Sequence, residues 1–272
     1  LGIRDIDHTE RKSDNEFRII GMGDSWTEGQ GAPFEQTYLK TLERSLNDRS
    51  GDVVFKVISG GVAGSDPFYG YRLLADKLLP LGPDLVTVTV NESDIGDVIV
   101  RGGKERFVPD GSLQYAEPPG DEWLFARSHL YRFITKELFG YDWFLLSKSD
   151  KRRKRAEAID QLAVALQDFQ ALANQSGFDF VAILHPALSE FKRQQYQHDF
   201  DRLKARLDSE GIRYFDLMEY FDEEGYLESQ DPTAIYWQYD YHHNADGYAL
   251  FAEGLESYLR GEGLIPERST DL

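Results

Sequence analysis

Ser25 is the first residue whose setting favours chemistry, because it lies between two glycines in the segment 23–29, Gly-Asp-Ser-Trp-Thr-Glu-Gly. The segment follows an apolar run, Phe17 to Met22, that predicts a short buried strand. Glycines on the loop after a strand let the backbone turn sharply and let a substrate approach closely, so Ser25 is a candidate nucleophile. Gly-Asp-Ser is also a common sequence in turns that have no catalytic role. The segment is not the G-x-S-x-G elbow, because Thr27 stands where its last glycine would be.

A base for such a serine is available near the C-terminus, in the segment 240–248 that begins Asp-Tyr-His-His-Asn. A histidine can accept the serine proton near pH 7, and a carboxylate on its other ring nitrogen fixes the tautomer. His242 and His243 compete for this role, and Asp240 can orient His242 from a loop. The same residues with Asp246 could instead form a His/carboxylate metal site, or they could be purely structural.

Taken together, these segments resemble the SGNH hydrolase superfamily, also called GDSL-type. Gly-Asp-Ser near the N-terminus resembles its nucleophile block, and His242-x-Asn244-x-x-Gly247 matches its last block when His242 is catalytic. The family usually has its aspartate three residues before the histidine, where this chain has Tyr239. Some members use Asp-x-His, which Asp240 and His242 match. The resemblance implies a Ser25–His242–Asp240 triad.

The resemblance also implies an oxyanion hole, a set of donors aimed at the negative charge that develops in the reaction. Its donors would be the Ser25 amide, the Gly61 amide in the segment 59–64 and the Asn91 side chain. Gly60 is the neighbouring alternative to Gly61. In the family, the third donor is the asparagine side chain of a Gly-x-Asn-Asp segment. This chain has Asn-Glu-Ser-Asp at 91–94, so Asn91 and Ser93 are both candidates. We favour Asn91, because a side-chain amide is a better-aimed donor than a hydroxyl. The family needs no cofactor and no metal.

The remaining pattern predicts an α/β protein. Five apolar runs predict buried parallel strands, and helical patterns alternate with them, which favours a doubly wound sheet with its functional loops at the carboxyl ends of the strands. The resemblance implies the three-layer α/β/α, flavodoxin-like form of this fold. The predicted strands are 17–22, 53–58, 85–90, 178–184 and 212–215, and the predicted helices are 36–46, 69–79, 156–173, 191–207 and 245–259.

We expect one domain over residues 17–262, with a polar, loosely held leader at 1–16 and a tail at 263–272. Residues 97–150 interrupt the alternation and are rich in aromatic residues, which predicts an insertion with its own helices at about 121–146. This insertion could form part of a substrate pocket or a packing layer. Because the chain starts at Leu1 without methionine, we expect a processed N-terminus and an extracytoplasmic location.

The composition narrows the class of partner. The chain has 272 residues, a net charge of −18 and no cysteine. Such a surface repels nucleic acid and anionic lipid, and the absence of cysteine excludes disulfides and thiolate chemistry. The sequence contains no run of 18 apolar residues, so no membrane span is predicted.

We expect a serine esterase that removes short acyl groups, such as acetyl, from carbohydrate or other small esters. The alternatives are acyl transfer to a sugar, or an inactive carbohydrate-binding protein on the same fold.

Overall fold

The computed structural model describes residues 2–49, 51–109, 112–115, 117, 119–141, 146–196, 198–228 and 231–267. Its centre is a five-stranded parallel sheet with the strand order β2-β1-β3-β4-β5. The first strand of the chain, β1, therefore lies between β2 and β3 in the sheet. The strands are β1 (Glu16–Gly23), β2 (Val54–Gly61), β3 (Leu85–Val90), β4 (Asp179–Leu184) and β5 (Tyr214–Asp216).

The strands read as continuous apolar runs because helices cover both faces of the sheet. All six residues of β3 are buried, as are the last six of β1. The helix Tyr38–Arg49 packs on β2 and on the last helix of the chain, where Tyr38 stacks on Phe251. The long helix Lys148–Ser176 packs on β4, where Phe169 stacks on Phe180. The predicted α/β/α architecture is thus confirmed.

The helices of the described chain fall between and after these strands. The α-helices are α1 (Ser25–Glu28), α2 (Tyr38–Arg49), α3 (Pro67–Leu73), α4 (Glu92–Arg101), α5 (Glu122–Arg127), α6 (His129–Phe133), α7 (Lys148–Ser176), α8 (Leu188–Arg193), α9 (His198–Glu210), α10 (Leu217–Glu223) and α11 (Ala245–Gly261). Short π-helices follow at Leu74–Leu78 and Ile134–Leu138, and 3₁₀ turns lie at Phe34–Gln36, Leu79–Leu81, Lys104–Arg106 and Pro232–Ala234.

Two predicted helices illustrate how the observed helices differ from the expected ones. The single helix expected at 191–207 is two helices, α8 and α9, because Gln194 ends α8 in the left-handed conformation. The helix expected at 156–173 begins eight residues earlier, where Ser147 accepts a hydrogen bond from the Asp150 amide as its N-cap. The basic run 148–155 is therefore the first part of α7.

The N-terminal segment is not loosely held, and that expectation is wrong. The Arg4 guanidinium donates to the carbonyls of Glu28, Gly29 and Ala32, at the end of α1 and just beyond it. Asp5 is an acceptor for the Ser59 amide of β2 and pairs with Lys40 of α2 at 2.9 Å. These contacts fasten the first residues to the back of the loop that carries Ser25.

The insertion contains α5, α6 and the π-helix after them, so helices form inside the range predicted for them. Most of its large side chains lie at the surface: Trp123, Phe133 and Phe139 are 56 to 67% exposed, whereas Phe125 is buried. The aromatic residues at 143 and 144 and the end of the predicted tail, 268–272, lie outside the described residues. No helix in the described part of the chain is both long and apolar enough to cross a membrane.

Candidate active site

The carboxyl ends of the strands bring the candidate residues to one edge of the sheet. Ser25 follows β1 and is the first residue of α1. The Asp24 carboxylate caps this short helix by accepting a hydrogen bond from the Trp26 amide at 3.0 Å. The cap fixes the turn between strand and helix, so that the Ser25 hydroxyl is presented at the sheet edge. Its Oγ lies 2.8 Å from Nε2 of His242, which is hydrogen-bonding distance for a nucleophile and its base.

His242 is carried by a short hairpin that precedes α11. Tyr236 and His243 form an isolated antiparallel bridge, and the Trp237 amide donates to the His242 carbonyl at 2.8 Å. The indole nitrogen of Trp237 donates to the carbonyl of Gly31 at 2.7 Å. The hairpin is thereby fastened to the segment just after α1, which holds the histidine and the serine in register.

Asp240 lies on the far side of the imidazole, as predicted for the acid. Its Oδ2 is 3.2 Å from His242 Nδ1, within ion-pair distance, but the two groups are not aligned for a hydrogen bond. The Asp240 side chain is 44% exposed, and its other oxygen accepts a hydrogen bond from the Gln30 amide at 3.3 Å. The sequence did not reveal Gln30 as a partner of Asp240. Catalytic contacts of this kind commonly tighten only when substrate binds.

The neighbouring His243 faces the core and is fully buried. Its Nε2 lies 3.0 Å from Nε2 of His185, and its Nδ1 donates to the Ile235 carbonyl at 2.9 Å. With Nδ1 protonated, Nε2 of His243 is the acceptor and His185 is the donor. Burial lowers the pKa of His243 to about 3 and the pKa of His185 well below its ordinary value, so both are neutral. The structure therefore places His242, and not His243, beside the serine.

Trp26 links the two histidine environments. Its ring lies 4.2 Å from the His185 ring and 4.7 Å from the His242 ring, between centroids. The sequence analysis did not single out His185, which directly follows β4. The feature of the sequence that could have identified His185 is a histidine directly after an otherwise apolar strand.

Gly61 is the last residue of β2 and pairs with Gly23. A Cβ at this position would lie 2.2 Å from the backbone nitrogen of Glu28, so glycine is needed for β2 to pack against α1. Three residues later, Gly64 has a φ of +68° and open space over its Cα. The Arg101 side chain of α4 donates to the Gly64 carbonyl and holds this turn.

Asn91 caps α4, and its side chain is directed toward the Ser25 loop. Its amide donates to Asp24 Oδ2 at 2.9 Å, and its carbonyl oxygen accepts from the Ser93 hydroxyl at 2.7 Å. Ser93 Oγ also lies 3.2 Å from the same Asp24 oxygen. Burial raises the pKa of Asp24, although these donors act in the opposite direction. Asp94 accepts from the backbone N–H of Asn91, and burial, together with the nearby Asp24 carboxylate, raises its pKa well above the usual range.

The metal alternative depends on three or more ligand side chains meeting at one point. Within the described residues, no group of three histidine, aspartate or glutamate side chains is placed to hold a metal ion. The histidines at 242 and 243 diverge, one to the surface and one to the core. The structure instead places a hydroxyl, an imidazole and a carboxylate side by side in space. This is the arrangement of a nucleophile, its base and an orienting acid.

Several solved structures are similar to this chain. The acetyl xylan esterase AlAXEase has 15% identity and a TM-score of 0.55, over 89% of this chain and 100% of its own. Axe2, an acetylxylan esterase from Geobacillus stearothermophilus, has 14% identity and a TM-score of 0.54, over 93% and 97%. A lipolytic protein of the G-D-S-L family from Veillonella parvula has 14% identity and a TM-score of 0.50, over 90% and 99%. No family model matches the chain, and no curated protein matches it in sequence.

These similarities cover about nine tenths of the chain. At this level of identity they show the fold, which this chain shares with the two acetylxylan esterases and the G-D-S-L family protein. The predicted resemblance to the SGNH hydrolase superfamily is thus confirmed in the architecture. Because one fold can carry many functions, the activity has to be argued from the site.

Proposed function

We propose that this protein is a carboxylic ester hydrolase that uses Ser25 as its nucleophile. The observation that carries the proposal is the 2.8 Å contact between Ser25 Oγ and His242 Nε2, with Asp240 behind the imidazole at 3.2 Å. A serine is a weak nucleophile unless an adjacent base accepts its proton. The esterase names of the similar structures support the same reaction class.

In the proposed mechanism, Ser25 Oγ attacks the ester carbonyl while its proton passes to His242 Nε2. The carbonyl oxygen becomes an oxyanion in a tetrahedral intermediate, which collapses to an acyl-enzyme as His242 gives the proton to the leaving alcohol. Water then attacks the acyl-enzyme with His242 again as the base, and releases the acid. Asp240 stabilises the imidazolium in both halves of the reaction.

The oxyanion donors in this proposal are the Ser25 amide, the Gly61 amide and the Asn91 side chain. The choice of Asn91 over Ser93 is supported by a hydrogen count. The one hydroxyl hydrogen of Ser93 is shared between Asn91 and Asp24, whereas the Asn91 amide has a second hydrogen beyond the one given to Asp24. The neighbouring Gly60 is the competing glycine donor, one residue earlier in β2.

For the substrate we propose short acyl esters of carbohydrates, acetyl first. Two of the similar structures bear names of acetylxylan esterases, and exposed aromatic rings surround the hairpin at Trp237, Tyr239 and Tyr241. Aromatic faces are a common surface for binding organic ligands of this size. Acyl transfer to a sugar hydroxyl would use the same residues and differ only in the acceptor.

The test is ester turnover by the wild-type protein and by Ser25→Ala. We expect release of p-nitrophenol from p-nitrophenyl acetate and of acetate from acetylated xylooligosaccharides, with a loss of about 10⁴-fold or more in kcat for the variant. An added acceptor sugar separates the two reactions, since a transferase forms an acetylated acceptor. If the wild-type protein turns over none of these esters, or if Ser25→Ala matches it, the proposal is wrong.

A further inference from the structure

A cavity of about 360 Å³ opens beside the candidate active site, at the carboxyl end of β4. It is walled by the tryptophan after Ser25, by the start of α8 and by the residue before His242. These lining residues are Trp26, Ala187, Leu188, Ser189, Lys192 and Tyr241. A larger cavity, of about 570 Å³, lies between α2 and α11 and shares none of these residues.

The cavity lies on the side from which the alcohol must leave. His242 gives its proton to the leaving oxygen, so the alcohol has to sit against the imidazole. Trp26 contacts that imidazole, and Tyr241 is its neighbour in the chain. Of the proposed oxyanion donors, Gly61 ends β2, on the other side of Ser25 in the sheet order, whereas Asn91 follows β3, between β1 and β4. The Gly61 donor and the cavity therefore lie on opposite sides of Ser25 along the sheet edge.

The size of the cavity exceeds what an acetyl group needs. At roughly 30 Å³ per non-hydrogen atom, the share of a water molecule in the liquid, 360 Å³ holds on the order of twelve atoms. That is the size of one sugar ring with its substituents. Two aromatic residues line it: Trp26 is nearly buried against His185 and His242, so Tyr241, which is 57% exposed, offers the larger apolar face to such a ring.

Tyr241 is held in an unusual conformation. It has a φ of +67°, in the left-handed region, with its amide donating to the Trp237 carbonyl at 3.1 Å, and its side chain is 57% exposed. A glycine or asparagine would adopt this conformation with less strain. An exposed aromatic residue kept at a strained position beside a reactive histidine points to a binding role for its ring.

Lys192 gives the cavity a charge. Among the described residues that line the cavity, it alone carries one, and it has no ion-pair partner in the part of the chain that the structure describes. The whole chain carries a net charge of −18, so Lys192 places a positive charge at the mouth of this cavity on a predominantly acidic protein. It is suited to a substrate with a negative group on its alcohol part.

We propose that this cavity binds the leaving alcohol and that this alcohol is a sugar ring carrying a carboxylate, as in uronic acids. The ring lies against Trp26 and Tyr241, and the carboxylate faces Lys192. This inference rests on the proposed ester hydrolysis and adds the substrate class to it.

The experiment compares three acetylated substrates that differ in one group: a methyl glucuronoside, its methyl ester and the matching methyl glucoside. We expect kcat/KM of the wild-type protein to be about fivefold higher for the free acid than for either neutral sugar, the gain of one partly exposed ion pair. Lys192→Gln should bring the ratio close to one. Arg193→Gln is the matched control and should keep the ratio, because this exposed neighbour does not line the cavity.

Equal kcat/KM for the three substrates, or a preference that survives in Lys192→Gln, overturns the inference. Calorimetry separates its failure from that of the proposed function, because the deacetylated methyl glucuronoside and methyl glucoside test the cavity without any turnover. Tighter binding of the glucuronoside that Lys192→Gln removes supports the inference even if no ester is hydrolysed. Equal binding of the two sugars overturns it even in an active esterase.

Discussion

At the scale of single residues, the site depends on two adjacent histidines that have opposite environments. His242 reaches the Ser25 hydroxyl, while His243 is buried against His185 and the Ile235 carbonyl. The sequence left both as candidates until the spacing to Asn244 and Gly247 favoured His242. The structure explains that spacing, because Asn244 caps α11 by accepting from the Gly247 amide and so fixes where the hairpin ends.

Asp240 is the residue whose contribution the geometry limits. Because it is partly exposed and not aligned for a hydrogen bond with His242, we expect Asp240→Asn to lower kcat by about 10²-fold, less than the roughly 10⁴-fold loss for a buried triad aspartate. The measurement is steady-state hydrolysis of p-nitrophenyl acetate. Asp246→Asn, in the first turn of α11, is the control and should stay within twofold of wild type. Equal losses in the two variants would contradict the assignment.

At the scale of elements, the close packing of α1 on β2 positions the nucleophile. Gly61→Ala would place a Cβ 2.2 Å from the Glu28 nitrogen, so the helix that begins at Ser25 would have to shift. We expect this variant to lose about 3 kcal/mol of unfolding free energy, as in overpacked cores. Gly64→Ala meets no atom within 4 Å and should lose only about 1 kcal/mol, from its left-handed backbone.

Urea unfolding of the two glycine variants measures both losses. Equal destabilisation of the two variants would contradict the packing of α1 on β2.

The buried imidazole pair makes the junction of β4 with the hairpin sensitive to acid. The folded pKa of His243, about 3, is below its ordinary value of 6.5, so the unfolded chain binds more protons between these two pH values. Stability is therefore fully present above about pH 6.5 and is lost as the pH falls toward 3. We expect the unfolding free energy to drop by about 2 kcal/mol for one such histidine between pH 7 and pH 5.

Urea titrations at the two pH values measure this difference, and His185→Gln, with one buried imidazole fewer, should show a smaller one. Stability that is unchanged or higher at pH 5 would contradict the neutral pair, since a paired and protonated histidine would have the opposite pH dependence.

At the scale of the whole molecule, the sequence predicted the sheet and most of the site because both depend on local patterns. Three of the five strands, β1, β3 and β4, coincide with their apolar runs to within one residue at either end, whereas β2 ends three residues later and β5 begins two residues later. The Ser25–His242 contact was predicted from two short motifs that are 217 residues apart. Parallel strands bring such motifs together whenever both follow strand ends or precede the last helix.

What the sequence could not predict depends on contacts between distant segments. The sequence did not predict that Gln30 contacts Asp240 or that His185 contacts His243, because neither Gln30 nor His185 lies in a motif. The N-terminal segment appeared free because its residues are polar, yet Arg4 and Asp5 bind backbone groups of α1 and β2. The predicted role of the aromatic insertion in the pocket also finds no support: among the described residues lining the cavity beside Ser25, none belongs to 97–150.

The central claim, that Ser25 is an activated nucleophile, is tested most directly by covalent labelling with a fluorophosphonate probe. The probe reacts readily with a serine whose proton a neighbouring base accepts as the serine oxygen attacks phosphorus. We expect the folded wild-type protein to be labelled at Ser25, as located by peptide mass spectrometry, and His242→Ala to be unlabelled while it keeps its circular dichroism spectrum. A folded wild-type protein that takes up no label, or takes it up at another serine, would contradict the account.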